Sequence, residues 1–156
     1  MAVVKALVRH VEGHTLLARA ASHHWVPLDS PVEGTPSAAN DSVQLMVIAC
    51  AGCVMIDTVD ILRKKREEFD LLKIEIEALR RDHPPKIIRR LDYRLCINGT
   101  GLHEESGRRA LELSLTKYRS VSLSLDRSVK FLAQITLNGS AGESWEVARN
   151  PEWFEE

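Results

Sequence analysis

Two cysteines three residues apart, Cys50 and Cys53 in Cys-Ala-Gly-Cys, are the most chemically capable pair in this 156-residue chain. Such spacing serves thiol redox chemistry or supplies half of a zinc site. Zinc needs four ligands, and no second CxxC or paired His/Cys set stands at fitting spacing, so no metal or other cofactor is expected. A redox CxxC takes its acidic thiol from a helix N-terminus, yet this pair falls about nine residues inside the helix predicted below, beyond the turn where the dipole acts. Helical residues three apart hold their Cβ atoms about 5–6 Å apart, against roughly 3.5–4.5 Å in an unstrained disulfide. Cys50 and Cys53 therefore bridge only with local unwinding, and Cys50 reads as a small core residue. Among six histidines the one local cluster is His23-His24 at a loop edge, a solvated pair with no chelating neighbour in sequence. GxSxG, HExxH and Gly-rich phosphate motifs are absent, which leaves a thiol on a buried helix as the candidate chemistry.

The helix that carries this thiol is predicted from Ser42 to about Arg66. Asp41 stands where a cap would, and Gln44, three residues on, is placed to reach back in a capping box. The first half is apolar all round, while the second sets Val59 and Leu62 against Asp57, Asp60 and Lys64, so other elements must sheathe it. Its longest apolar run, Leu45 to Ile56, has twelve residues, short of the roughly twenty of a membrane span. The basic cluster Arg63-Lys64-Lys65-Arg66 offsets the helix dipole, with Glu67 and Glu68 following at once.

Around this helix the periods are those of strands and shorter helices. Val3 to Val11 and Thr15 to Ala20 form a hairpin across Glu12-Gly13-His14, and Asp29 to Ser42, rich in turn-forming residues, reads as a mobile loop. Leu72, Ile74, Ile76 and Ala78 alternate with charged residues, His83-Pro84-Pro85 breaks the run, and Leu91 to Ile97 alternate again in a strand antiparallel to the first, with Cys96 on its polar face. A helix follows over His103 to Tyr118, a helical turn over Val121 to Leu125, and a last strand over Val129 to Leu137. The acidic segment beyond Asn138 has no period and docks on the body or on a partner. The order, without regular βαβ alternation, is α+β: antiparallel sheets around a long central helix in one domain, residues 1–138, plus a tail, residues 139–156. About five strands and two short helices give too little cover for an all-apolar helix, and a homodimer sharing the core is the simplest remedy.

Composition narrows the partners. With 44% hydrophobic and 28% charged residues the chain should fold, and 21 basic against 22 acidic residues give a net charge of −1. No global field therefore draws it to nucleic acid or an anionic membrane, and neither is an expected partner. Three cysteines, an odd count beside an N-terminus without an export signal, fit reduced thiols in the cytoplasm.

Four ordered stretches resemble the OsmC/Ohr family of peroxide-defence thiol proteins, in its OsmC-like branch. Ser22-His23-His24-Trp25-Val26-Pro27-Leu28-Asp29-Ser30-Pro31 is similar to the family's strand ending in Met-Asp-Ser-Pro. Gln44-Leu45-Met46-Val47-Ile48-Ala49-Cys50-Ala51-Gly52-Cys53 resembles its Glu-Leu-Leu…Gly-Cys helix. Ile56-Asp57-Thr58-Val59-Asp60-Ile61-Leu62-Arg63-Lys64-Lys65-Arg66 resembles Ile-Asp-Val-Val-Ser-Ile-Leu with its basic end. Ala110-Leu111-Glu112-Leu113-Ser114 and Lys117-Tyr118-Arg119-Ser120-Val121-Ser122 resemble Ala-Val-Glu-Leu-Ser and Lys-Tyr-Cys-Ser-Val-Ser.

The resemblance implies an intertwined homodimer with the long helices at its interface and the active site between subunits. It also implies reduction of organic hydroperoxides: a peroxidatic cysteine, matched by Cys53, attacks the peroxide, and a resolving cysteine in Lys-Tyr-Cys forms a disulfide with it. Arg119 stands in the resolving position, and Gln44 matches a helix-start glutamate that in active enzymes pairs with an arginine holding the thiolate. Arg19 is a candidate for that arginine. Two functions remain open. One is a one-cysteine peroxidase in which Arg119 lowers the Cys53 pKa from about 8.5 and an external thiol reductant reduces the sulfenic acid. The other is a catalytically degenerate member that binds an apolar small molecule at the dimer interface. Oxidation-sensing by Cys53 is a third option.

Overall fold

Alternating short strands and a Gly13 turn at φ +55° fold the N-terminal residues into an antiparallel sheet of order β1-β2-β3. Its strands are β1 (Leu7–Glu12), β2 (Thr15–Arg19) and β3 (Trp25–Leu28). The computed structural model describes residues 2–32, 34, 36–117 and 120–148, in two compact units, Met1–Met46 and Val47–Glu156. The hairpin expected from Val3 begins only at Leu7, which pairs with Arg19. Because β2 ends there, residues before Leu7 have no ladder partner, and Val3 and Val4 are exposed. The loop expected from Asp29 is tied at its base. The Asp29 carboxylate accepts from the Ser30 and Ala38 amides at 2.9 and 2.8 Å, and the Asp29 amide donates to the Asn40 carbonyl. None of the described residues 2–46 is buried, so this sheet has no core of its own.

Helix α1 (Ser42–Lys64) starts in the first unit and continues through the second. Its start is the capping box expected: the Gln44 amide donates to the Asp41 carboxylate at 2.7 Å, and the Asp41 amide donates to the Gln44 side-chain oxygen at 2.9 Å. Its end is a Schellman closure, with Glu67 N donating to the Leu62 carbonyl, Arg66 N to the Arg63 carbonyl, and Arg66 left-handed at φ 58°. Such closures satisfy the last carbonyls of a helix, usually with glycine at the left-handed position. Cys50, Val54, Thr58 and Leu62, one turn apart, are the buried stripe. By length and mean hydropathy alone α1 would also suit a membrane, but that stripe is packed within the protein. Thr58 Oγ1 donates to the Val54 carbonyl at 2.8 Å and lies 3.1 Å from Ser114 Oγ. On the far side Ile48 and Ile56 are 52% and 66% exposed, so one chain covers one stripe rather than the whole helix.

The second unit is built on a sheet of order β4-β5-β6-β7, with β8 also on β6. β4 (Leu71–Arg80) and β5 (Ile88–Asn98) are antiparallel, as expected, whereas β5 and β6 (Lys130–Leu137) are parallel. Parallel neighbours need a long crossover, which is supplied by α2 (Glu104–Thr116) and α3 (Ser120–Leu123). Ala110, Leu111, Ser114 and Leu115 of α2 are buried as their helical spacing predicts, together with Leu91, Tyr93 and Leu95 of β5 and Phe131, Ala133 and Ile135 of β6. Each large side chain so buried stabilises the fold by about 1.5–3 kcal/mol. Tyr93 meets Phe131 edge to face at 5.9 Å, and its hydroxyl bonds Ser122 Oγ at 3.0 Å.

Cys96 departs from expectation. Strand alternation places it on the polar face, yet it is buried, as are Leu95 and Ile97 on either side. β5 is a central strand, and Cys96 lies in register between Lys73 of β4 and Thr136 of β6, so neighbouring strands cover a side chain as small as this one. Beyond Asn138 the described residues 139–148 dock on the body: β7 (Ser140–Ala141) and β8 (Trp145–Glu146) pair with β6, Val147 is buried, and Arg108 stacks 4.2 Å over the Trp145 ring. Trp153 and Tyr118 lie outside the described residues.

Candidate thiol site

The three cysteines are all unbridged thiols, but their surroundings separate them. Cys50 and Cys96 are buried, at 1% and 7% exposure, whereas Cys53 is half-buried. The cause is helical phase. Cys50 belongs to the buried stripe of α1, and Cys53, three residues on, falls between that stripe and the exposed side carrying Ala49, Gly52 and Ile56. Thiol reactivity needs access as well as thiolate character, and Cys53 is the cysteine with access. Its side of the helix also carries Asp57 and Asp60, one and two turns further on, so a cation supporting a Cys53 thiolate has to come from outside α1.

The described residues do not include Arg119, the cation expected for that role. Arg19 lies on β2 in the first unit, its guanidinium 5.0 Å from the centre of the Trp25 ring and 3.3 Å from His23 Nδ1. His23 and His24 are exposed in the β2–β3 turn.

A sequence model of OsmC-like proteins matches residues 34–133, which include Cys53. Protein YhfA of Escherichia coli K12 is 30% identical over 126 residues, 81% of this chain and 92% of YhfA. This chain belongs to the OsmC-like protein family. Solved structures agree on its fold. The OsmC-like protein of Mycoplasma pneumoniae superposes with a TM-score of 0.74 at 13% identity, over 87% of this chain and 97% of that one. An organic hydroperoxide resistance protein, OsmC of Legionella pneumophila, gives 0.62 at 16% identity, over 86% and 97%.

In this OsmC-like protein the Gln44 side chain is engaged in capping α1, the use its spacing from Asp41 predicts. One cluster was not legible in advance. On the solvent side of the second sheet, Lys73 bonds Glu75 at 2.7 Å, Arg94 bonds Glu75 at 3.2 Å and Gln134 at 2.9 Å, and Arg90 grips Asp92 through two nitrogens. Glu75, Arg90, Asp92, Arg94 and Gln134 line an open concavity of about 480 Å³. Hydrogen bonding and charge from Lys73, then Arg94, hold the Glu75 carboxyl below its ordinary range, and Glu75 raises Lys73 in turn. Strand alternation predicts polar residues on this face, but the contacts of Arg94 with Glu75 and Gln134 depend on the β4–β5 and β5–β6 registers, which no local pattern encodes. The Lys73–Glu75–Arg94 pairs are exposed, Arg90–Asp92 is half-buried, and all are mutually compensated, which makes them a largely solvated sheet face worth little in stability.

Proposed function

We propose that this OsmC-like protein is a cytoplasmic thiol peroxidase of oxidative-stress defence, reducing organic hydroperoxides through Cys53. The observation that carries the reading is the accessibility of Cys53 beside two buried cysteines, at the position where the family resemblance sets the peroxidatic thiol. The Cys53 thiolate attacks the terminal peroxide oxygen, the O–O bond breaks, and the alkoxide leaves as an alcohol on taking a proton. Cys53 is left as a sulfenic acid. Two electrons from an external thiol reductant return it to the thiol, with release of water. Arg119 is the proposed cation beside the thiolate. The name of the Legionella pneumophila relative, an organic hydroperoxide resistance protein, supports this substrate class.

The working form is proposed to be an intertwined homodimer. A sheet with no buried residue in the first unit, and an α1 side on which Ile48 and Ile56 stand exposed, both require apolar cover, and a second copy supplies the same surfaces symmetrically.

A second reading keeps the dimer and drops turnover, leaving a site that holds an apolar small molecule. It is favoured by Arg119 in the resolving position and by the commitment of Gln44 to the helix cap. Steady-state consumption of an organic hydroperoxide with a thiol reductant separates the two. Sustained turnover by the wild type, lost in Cys53→Ser and Arg119→Ala, supports the peroxidase with Arg119 in its stated role. Consumption no faster than Cys53→Ser excludes it, and an apolar ligand extracted from the purified protein would then support the binding reading.

A further inference from the structure

We propose that Cys50 is the resolving thiol of this protein, one turn before Cys53 on the same helix. The inference rests on the peroxidase reading and changes one step of it: the thiol that first meets the Cys53 sulfenic acid is internal.

Geometry supports the pairing from the backbone outward. With a helical rise of 1.5 Å per residue and a Cα radius of about 2.3 Å, residues three apart have Cα atoms about 5 Å from each other, inside the roughly 4.4–6.8 Å range of disulfides. Only the Cβ atoms are too far apart, by about 1–2 Å. A small local unwinding closes that gap, and the residue between them that permits it is Gly52, since glycine is the weakest helix former apart from proline. The rest of α1 is pinned. The Asp41–Gln44 box holds its start, the Arg66 closure holds its end, and Thr58 is bonded to Ser114 of α2. Opening is thus confined to the turn containing the two sulfurs.

Burial sets the order of events. Cys53 is half-buried and meets the peroxide, while Cys50, 1% exposed, is shielded from it and is reached only by a sulfur already in the protein. In the resolving step the Cys50 sulfur attacks the Cys53 sulfenic sulfur, the S–S bond forms and the S–O bond breaks. The hydroxyl leaves with the Cys50 proton as water. Cys50 is oxidised, the sulfenic acid is reduced to disulfide level, and an external dithiol later reduces the bridge by exchange. Arg119 in the family's resolving position is then no obstacle to a two-cysteine cycle.

The test is to treat the reduced full-length protein with one equivalent of cumene hydroperoxide, with and without dimedone, and read intact mass and fragmentation. The wild type should lose two hydrogens, bridged between Cys50 and Cys53, with little dimedone adduct. Cys50→Ala and Cys50→Ser should instead retain a dimedone-reactive Cys53, while Cys96→Ala should match the wild type. Gly52→Ala should slow bridge formation several-fold. Equal dimedone labelling of Cys53 in wild type and Cys50→Ala, or a bridge through Cys96, would overturn the inference and leave the peroxidase intact. An unoxidised Cys53 in every protein would overturn both.

Discussion

The buried hydroxyl pair between Thr58 and Ser114 joins the helix that carries the thiol to the helix behind it. Both side chains have no measurable exposure, so neither can turn to water when its partner is lost. Thr58→Val should therefore destabilise the protein by about 1–3 kcal/mol, the cost of an unpaired buried polar group, measured by urea unfolding. Thr58→Val with Ser114→Ala should recover part of that loss. Residue-level chemistry was only partly legible in sequence. The phase separating Cys50 from Cys53 follows from helical period, and the capping role of Gln44 from its spacing to Asp41. The burial of Cys96 does not, because alternation along one strand carries no information about what the adjacent strands cover.

At the scale of elements, α1 shows how local signals fix an end and tertiary context fixes a face. Its C-terminus closes on Arg66 in a left-handed conformation, which costs an L-residue roughly 1–2 kcal/mol and glycine much less. Arg66→Gly should raise stability by about 1 kcal/mol, seen as a higher urea midpoint, with the position of Cys53 untouched. The basic run ending at Arg66 marked this terminus in sequence to within two residues. The hairpin start is set by pairing rather than by propensity: Val3 and Val4 have strand propensity, but the ladder has no pair beyond Leu7–Arg19. The parallel β5–β6 pairing was likewise hidden, since it depends on the path of the α2–α3 crossover rather than on either strand's own pattern.

For the whole molecule, the fold class was readable from element order, and the family from ordered stretches that the family match over residues 34–133 supports. The proposed second chain rests on the arithmetic of cover: a helix apolar all round, and too few elements to sheathe it. The exposed Ile48 and Ile56 give that argument a surface. Ile56→Asp should convert a sedimenting dimer to a monomer at micromolar concentration, since a charge buried without a partner is strongly unfavourable; a wild-type monomer at the same concentration would contradict the dimer. The central claim is that Cys53 is a thiol evolved to meet peroxides, and rapid-mixing kinetics test it most directly. The reduced protein is mixed with an organic hydroperoxide and thiol loss is followed in a single turnover. The account predicts a rate constant orders of magnitude above that of a free small-molecule thiol, abolished by Cys53→Ser and retained in Cys96→Ala. A wild-type rate no faster than the free thiol would contradict it.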